Sequence, residues 1–211
     1  MSSHSEMLRQ AERHLQSACP HMRRLIAELG PCQLQTRPDG FEMLVRSITS
    51  QQLSGTASKA IRRRLMNAIK PHALTPVSVR ACGAEGLRSA GYSGRKASYL
   101  LGLCADILDG GLDLGAMAGM SDDEVIRRLT LVRGIGEWTA QMFLIFSLGR
   151  PDVFPHGDLG VRQSLKRFHG LDSLPGKRLA IGLARPWRPY ATVASWYCWR
   201  SIDAKPTRKT S

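Results

Sequence analysis

The stretch LTLVRGIGEWTAQMFLIF, Leu129 to Phe146, continues through SLGRPDVFPHGDLGVRQ to Gln163 and decides how this chain is read. Its first turns belong to a helix that starts after Ser121-Asp122-Asp123-Glu124, an S-x-x-E capping pattern ahead of Val125 and Ile126. That helix is predicted to end near Leu131. A tight turn, Arg133-Gly134-Ile135-Gly136, follows, and a second, apolar helix runs from about Glu137 to Leu148. Two glycines around one aliphatic residue let backbone approach backbone, and Ile135 is placed to plug the space between the helices. The second helix opens with N–H groups that no helical carbonyl can satisfy, which suits a phosphate. Downstream, Asp158 precedes the helical stretch Leu159 to Phe168. It is a capping residue by type, and its carboxylate lies at the positive end of that helix, where an anion is favoured.

Outward from this segment the periodicity stays helical. Ala57, Ala60, Ile61, Leu65, Ala68 and Ile69 form one apolar stripe, with Arg62, Arg63 and Arg64 mostly off it. Ala97, Leu100, Leu101, Cys104 and Leu108 form another, which makes Cys104 a small buried hydrophobe. Thr75-Pro76 reads as a cap followed by proline at the first helical position, and Gly30-Pro31 and Gly110-Gly111 read as stops. Phe41 to Ile48 reads as helix. Alternating strands with hairpin turns are missing, so the chain is expected to be all-α, with about ten short helices.

The 211 residues carry 30 Lys+Arg against 17 Asp+Glu, a net charge of +13, and 43% are hydrophobic. This is a globular composition that favours a polyanionic partner. The charge is spread through the chain, and only Lys205 to Ser211 reads as a loose basic end. No run approaches the ~20 apolar residues of a membrane span, and the first residues do not read as a secretory signal. Cys19, Cys32, Cys82, Cys104 and Cys198 are scattered without a C-x-x-C pair, which argues against zinc, an iron–sulfur cluster or a disulfide framework. The expectation is a reduced, intracellular, soluble protein with no membrane partner.

The turn and its flanks follow the helix-hairpin-helix pattern, a sequence-independent clamp on the DNA backbone; a plain helical hairpin with a glycine turn is the alternative for these residues alone. Leu131 to Ala140 followed by Phe154-Pro155-His156-Gly157-Asp158-Leu159 resembles the helix-hairpin-helix DNA glycosylase superfamily, in particular its 3-methyladenine DNA glycosylase II branch. Phe41 to Ser54, Gly91 to Ala97, and Arg185 to Ala191 with Trp196-Tyr197 resemble further segments of that branch, in the same order, over about residues 20–203. The resemblance implies two helical lobes with a cleft between them. One is a six-helix barrel over 39–150 that carries the hairpin; the other is built from 1–38 and 151–211. An N-terminal β domain, present in larger members, is not expected.

The same resemblance implies a base-excision-repair enzyme acting on double-stranded DNA that contains a damaged base. Such an enzyme would work as a monomer, in the nucleoid of a bacterium or the nucleus of a eukaryote. Asp158 is the implied catalytic carboxylate, which would stabilise the cationic sugar. Trp138, Trp187, Met142 and Gln51 are the implied pocket, and Gln52 or Leu53 the wedge that fills the gap left by a flipped base. Arg133, Gly134, Ile135, Gly136 and Thr139 form the implied DNA-binding hairpin. The carbonyls of Thr130, Val132 and Ile135 would hold a structural Na+ or K+, with no cofactor required. Two departures matter. Lyase-type relatives carry a nucleophilic lysine two residues after the second hairpin glycine, where this chain has Trp138, so a monofunctional glycosylase is expected. Only Cys198 lies where some relatives hold an iron–sulfur cluster, so no cluster is expected. Arg95, Lys96, Arg162 and Lys166 are candidate phosphate contacts. A glycosylase of this fold for another damaged base, or a non-catalytic DNA-binding module, remains open on sequence.

Overall fold

The computed structural model describes residues 2–203; the basic end from Lys205 lies outside the described residues. In chain order the helices are α1 (Ser2–Ala18), α2 (Pro20–Leu29), α3 (Gly40–Ser50), α4 (Gly55–Ala68), α5 (Pro76–Ser89), α6 (Gly94–Leu108), α7 (Asp122–Leu131), α8 (Glu137–Phe146), α9 (Leu159–Phe168), α10 (Lys177–Ala184) and α11 (Ala191–Asp203). Short 3₁₀ turns span Ala116–Gly119 and Arg185–Trp187. Among the described residues no strand occurs, so the protein is all-α.

Capping residues set most of the boundaries. Ser54, Ser93, Ser121 and Asp158 each accept a hydrogen bond from the backbone N–H three residues on. Thr75 and Ser78 form a reciprocal capping box at the head of α5. The Ser121 pattern behaves differently from the expected box. Its hydroxyl caps Glu124 N, but the Glu124 carboxylate pairs with Arg127 and Arg128 one turn ahead. The ion pairs on the exposed face capture the arm that would have reached back.

The chain forms two compact units, divided at Gln35/Thr36 and at Gly149/Arg150. The unit from Thr36 to Gly149 holds α3 to α8. Its α8 is buried along Thr139–Ile145, packed between α3 and α7, and a helix apolar on all sides belongs in the middle of a core. Leu44, Ile48, Leu65, Leu87, Leu100 and Leu103 fill the rest, each worth about 1.5–3 kcal/mol on burial.

The other unit joins α1 and α2 to α9, α10 and α11. Its core is Leu15, Met22, Leu25, Val161, Leu165, Trp187 and Tyr197. The Tyr197 hydroxyl donates to the Glu12 carboxylate at 3.0 Å and lies 2.9 Å from the Gly30 carbonyl, while Cys32 N–H also donates to Glu12. One carboxylate thus fastens α1, the turn after α2, and α11. Cys19, Cys32, Cys104 and Cys198 are buried, and burial pushes the Cys32 and Cys104 thiols up to about 12. No helix among the described residues is long and apolar enough to cross a membrane.

Candidate active site

The hairpin lies in the unit from Thr36 to Gly149. Chain exit from α7 begins at Val132, which is extended, and Ile135 N–H donates back to Val132 O at 3.0 Å. Gly134 sits at φ 93, where side chains are disfavoured. Tyr99 of α6 lies against it: a Cβ there would be 3.0 Å from the tyrosine Cβ and closer still to its ring. The Arg133 guanidinium covers the same ring, 5.9 Å from its centroid. Ile135 is buried, as a plug between α7 and α8 should be. Gly136, at φ −100 and ψ 175, is unstrained, and a Cβ on it would meet nothing within 4 Å. It therefore leaves open space at the start of α8, whose first N–H groups the helix itself cannot satisfy.

The loop after α3 leans on this turn. Gln51 Nε2 donates to Gly134 O at 2.9 Å, and Lys96 Nζ donates to the carbonyls of Thr49 and Gln51, both at 2.7 Å. Burial, helped by the Arg95 charge, lowers the Lys96 ammonium from its ordinary range. Beyond these anchors Gln52 adopts φ 56, the one positive value at a non-glycine among the described residues, and Leu53 is 40% exposed. A cavity of about 540 Å³ opens here, lined by Gln51, Gln52, Lys96, Tyr99, Gly134 and Trp138. Trp138 keeps 37% of its surface exposed at this edge.

Several expected site residues are placed otherwise. Thr139 (3% exposed) and Met142 (4%) are buried, because α8 is enclosed from Thr139 to Ile145, so neither offers a side chain to DNA or base. Gln51 serves as a brace between loop and hairpin as well as a cavity wall. Lys96 points at main-chain carbonyls instead of a phosphate. Arg162 donates from Nε to Pro175 O.

Asp158 belongs to the other unit. The turn before it is held by His156 N–H donating to Phe154 O and Asp158 N–H to Pro155 O. The carboxylate is half-buried at the N-terminus of α9, where Oδ1 accepts from Val161 N–H at 2.9 Å. The same oxygen accepts from the indole Nε1 of Trp199, on α11, at 2.8 Å. Trp199 went unnoticed in the sequence, since the bond spans 41 residues and no local spacing announces it. Trp187 is a correction of another kind. It is 1% exposed, with its ring edge-on to Phe154 at 5.7 Å, so no indole face remains for a base. Among the described residues no group of three His, Cys, Asp or Glu could hold a metal ion. A monovalent cation would need backbone carbonyls. Thr130 lies in the last turn of α7, where carbonyls run out of helical donors and the dipole is negative, and Val132 and Ile135 follow in the turn. Oxygen donors of this kind are the chemistry such an ion takes, although Val132 O already accepts Ile135 N–H.

Comparison with known proteins identifies the family. A family model described as HhH-GPD superfamily base excision DNA repair protein matches residues 45–189. The chain is 33% identical over 210 residues to DNA-3-methyladenine glycosylase 1 of Schizosaccharomyces pombe, covering 95% of this chain and 92% of that protein. The structure of a 3-methyladenine DNA glycosylase of that yeast in complex with abasic DNA superposes with a TM-score of 0.84 at 32% identity, over 95% of this chain and 100% of the other. A DNA-3-methyladenine glycosidase from Bacillus halodurans gives 0.73 at 37% identity, over 87% and 89%. With an all-α fold, and with the family model and the yeast relative matched over most of its length, the chain belongs to the HhH-GPD superfamily of base excision DNA repair proteins.

Proposed function

We propose that the protein is a monofunctional DNA glycosylase that removes alkylated purines such as 3-methyladenine from double-stranded DNA. The observation that carries this reading is the Asp158 carboxylate, fixed through Oδ1 by a helix N–H and an indole N–H. A carboxylate so held serves a cation that forms during the reaction, the positively charged deoxyribose left as the base departs. In a low-dielectric site an ion–ion contact of this sort supplies several kcal/mol.

The rest of the chemistry follows from the residues in hand. A stacked base must leave the duplex, at a cost of a few kcal/mol that damage reduces. Gln52 and Leu53, at the tip of the loop after α3, fill the vacated space. The N–H groups around Gly134 and Gly136 take a backbone phosphate, and a Na+ or K+ held by the carbonyls of Thr130, Val132 and Ile135 would add positive charge beside it. The exposed indole of Trp138 stacks on the cationic purine, worth about 0.5–2 kcal/mol. The C1′–N bond then breaks with its electron pair on the base, which neutralises the purine's charge; water adds at C1′ and loses a proton. Trp138 has no amine to attack the sugar, and the nearby Lys96 amine is committed to two carbonyls, so hydrolysis without strand cleavage is expected.

The test is release of 3-methyladenine and 7-methylguanine from methylated duplex DNA, followed by chromatography, with borohydride trapping to detect a Schiff base. The wild type should release methylated bases and give no trapped adduct. Asp158→Asn should bind an abasic duplex normally and release nothing. Base release by that variant at the wild-type rate refutes the assignment of Asp158.

A further inference from the structure

We propose that Trp199 is a positioning residue that aims the Asp158 carboxylate, and that position 160 is glycine so that the indole can reach it. The inference rests on Asp158 being the catalytic carboxylate. Capping α9 needs only the bond from Val161 N–H to Oδ1. The second bond, from Trp199 Nε1 at 2.8 Å, satisfies no helix end and reaches across from another helix of the same unit. An indole N–H can donate but never accept. It therefore binds the carboxylate only as an acceptor and resists rotation of the oxygen it holds.

Gly160 supplies an independent observation. It lies in the first turn of α9, outside the left-handed region, so its backbone does not call for glycine. Glycine inside a helix is a poor choice for stability. A Cβ at this position would stand 3.1 Å from Trp199 Cδ1, 3.2 Å from Asp158 Oδ1 and 3.5 Å from Ile202 Cδ1. The missing methyl is the space through which indole and carboxylate meet. Glycine, tryptophan and aspartate form one device: the first gives room, the second aims, the third reacts.

The experiment measures single-turnover excision from a duplex with one 7-methylguanine, and binding of an abasic duplex, for Trp199→Phe, Gly160→Ala, the double variant and Asp158→Asn. Phenylalanine keeps an aromatic ring and removes the donor. Trp199→Phe should lower the maximal rate by roughly ten- to a hundredfold, the range for one hydrogen bond to a charged group, with duplex affinity unchanged. Gly160→Ala should lower the rate in the same way. The double variant should be no slower than the slower single variant, since both break the same bond. Unchanged rates in both single variants, losses that multiply in the double variant, or losses confined to affinity would overturn the proposal. If Asp158→Asn is itself fully active, the underlying reading fails. If it is inactive while Trp199→Phe is fully active, only the aiming role fails.

Discussion

Alanine at Gly134 and alanine at Gly136 should have opposite consequences, although the two glycines flank the same isoleucine. At Gly134 the backbone is at φ 93, a region that costs an L-residue about 1–2 kcal/mol. The added methyl also falls within 3.0 Å of Tyr99 Cβ and nearer still to its ring, which is held between the hairpin and Arg133. Overpacking of this sort costs about 1–3 kcal/mol. Together the loss is about 2–5 kcal/mol, and at about 2–4 °C per kcal/mol for a chain of this size the melting temperature should drop by roughly 4–20 °C. At Gly136 the backbone suits alanine and the methyl enters open space, which offsets alanine's weakness as an N-cap, so stability should stay within about 1 kcal/mol of wild type. That space is where the phosphate is proposed to sit, so Gly136→Ala should weaken duplex binding severalfold. Calorimetry and fluorescence anisotropy with an abasic duplex measure the two effects. Adding Tyr99→Ala to Gly134→Ala should cost less than the sum of the single changes, because the second removes what the first strikes. If Gly134→Ala melts within about 2 °C of wild type, or Gly136→Ala is as destabilised as its neighbour, the account of the turn is wrong.

Lys96→Met should destabilise the protein by about 1–3 kcal/mol through two stranded carbonyls, yet leave the salt dependence of DNA binding unaltered; a lysine on a phosphate would instead lower that slope by about one when removed. Thr75→Ala should cost about 1 kcal/mol in urea denaturation, since it removes half of the capping box on α5, and a loss below about 0.3 kcal/mol would contradict that geometry. His21 stacks on Phe168 and meets His169 edge-on, and burial, then the nearby His169 and Arg24 charges, lower its pKa from 6.5. A depressed folded value means that the unfolded chain takes up the proton first. The stabilisation is therefore complete above pH 6.5 and fades as pH falls through the folded value. His21→Gln should melt with a shallower dependence between pH 7 and pH 5 than wild type, and an identical slope would exclude this role.

Much of the fold could be read locally because its boundaries are local. Ser121, Thr75 and Asp158 mark helix starts through hydrogen bonds that span three residues, and α7 and α9 begin where those signals place them. The Gly134–Gly136 turn was legible for the same reason. Trp138 and Trp187 both suit a pocket by residue type, and the sequence favours Trp138 because it begins a helix beside the hairpin; packing sets it at a cavity edge and seals Trp187 beside Phe154. Met142 and Thr139 lie in the stretch of α8 that is buried on every side, which leaves no exposed stripe to distinguish a site face from a core face. Contacts between distant positions were beyond reach. Gln51 to Gly134 spans 83 residues and Trp199 to Asp158 spans 41, and nothing in the spacing of either pair forecasts a bond.

The Glu12 fastening has a consequence for the order in which the protein matures. The unit bearing Asp158 takes its elements from both sides of the central unit, and α11 brings Tyr197 to Glu12 and Trp199 to the acid. The central unit is continuous, so on a translating ribosome its helices are all available for packing while α11 has yet to be made. The glycine hairpin can therefore be complete before Trp199 is there to hold the Asp158 carboxylate. If Asp158 is the catalytic carboxylate proposed above, its final setting waits for the helix that closes the clasp.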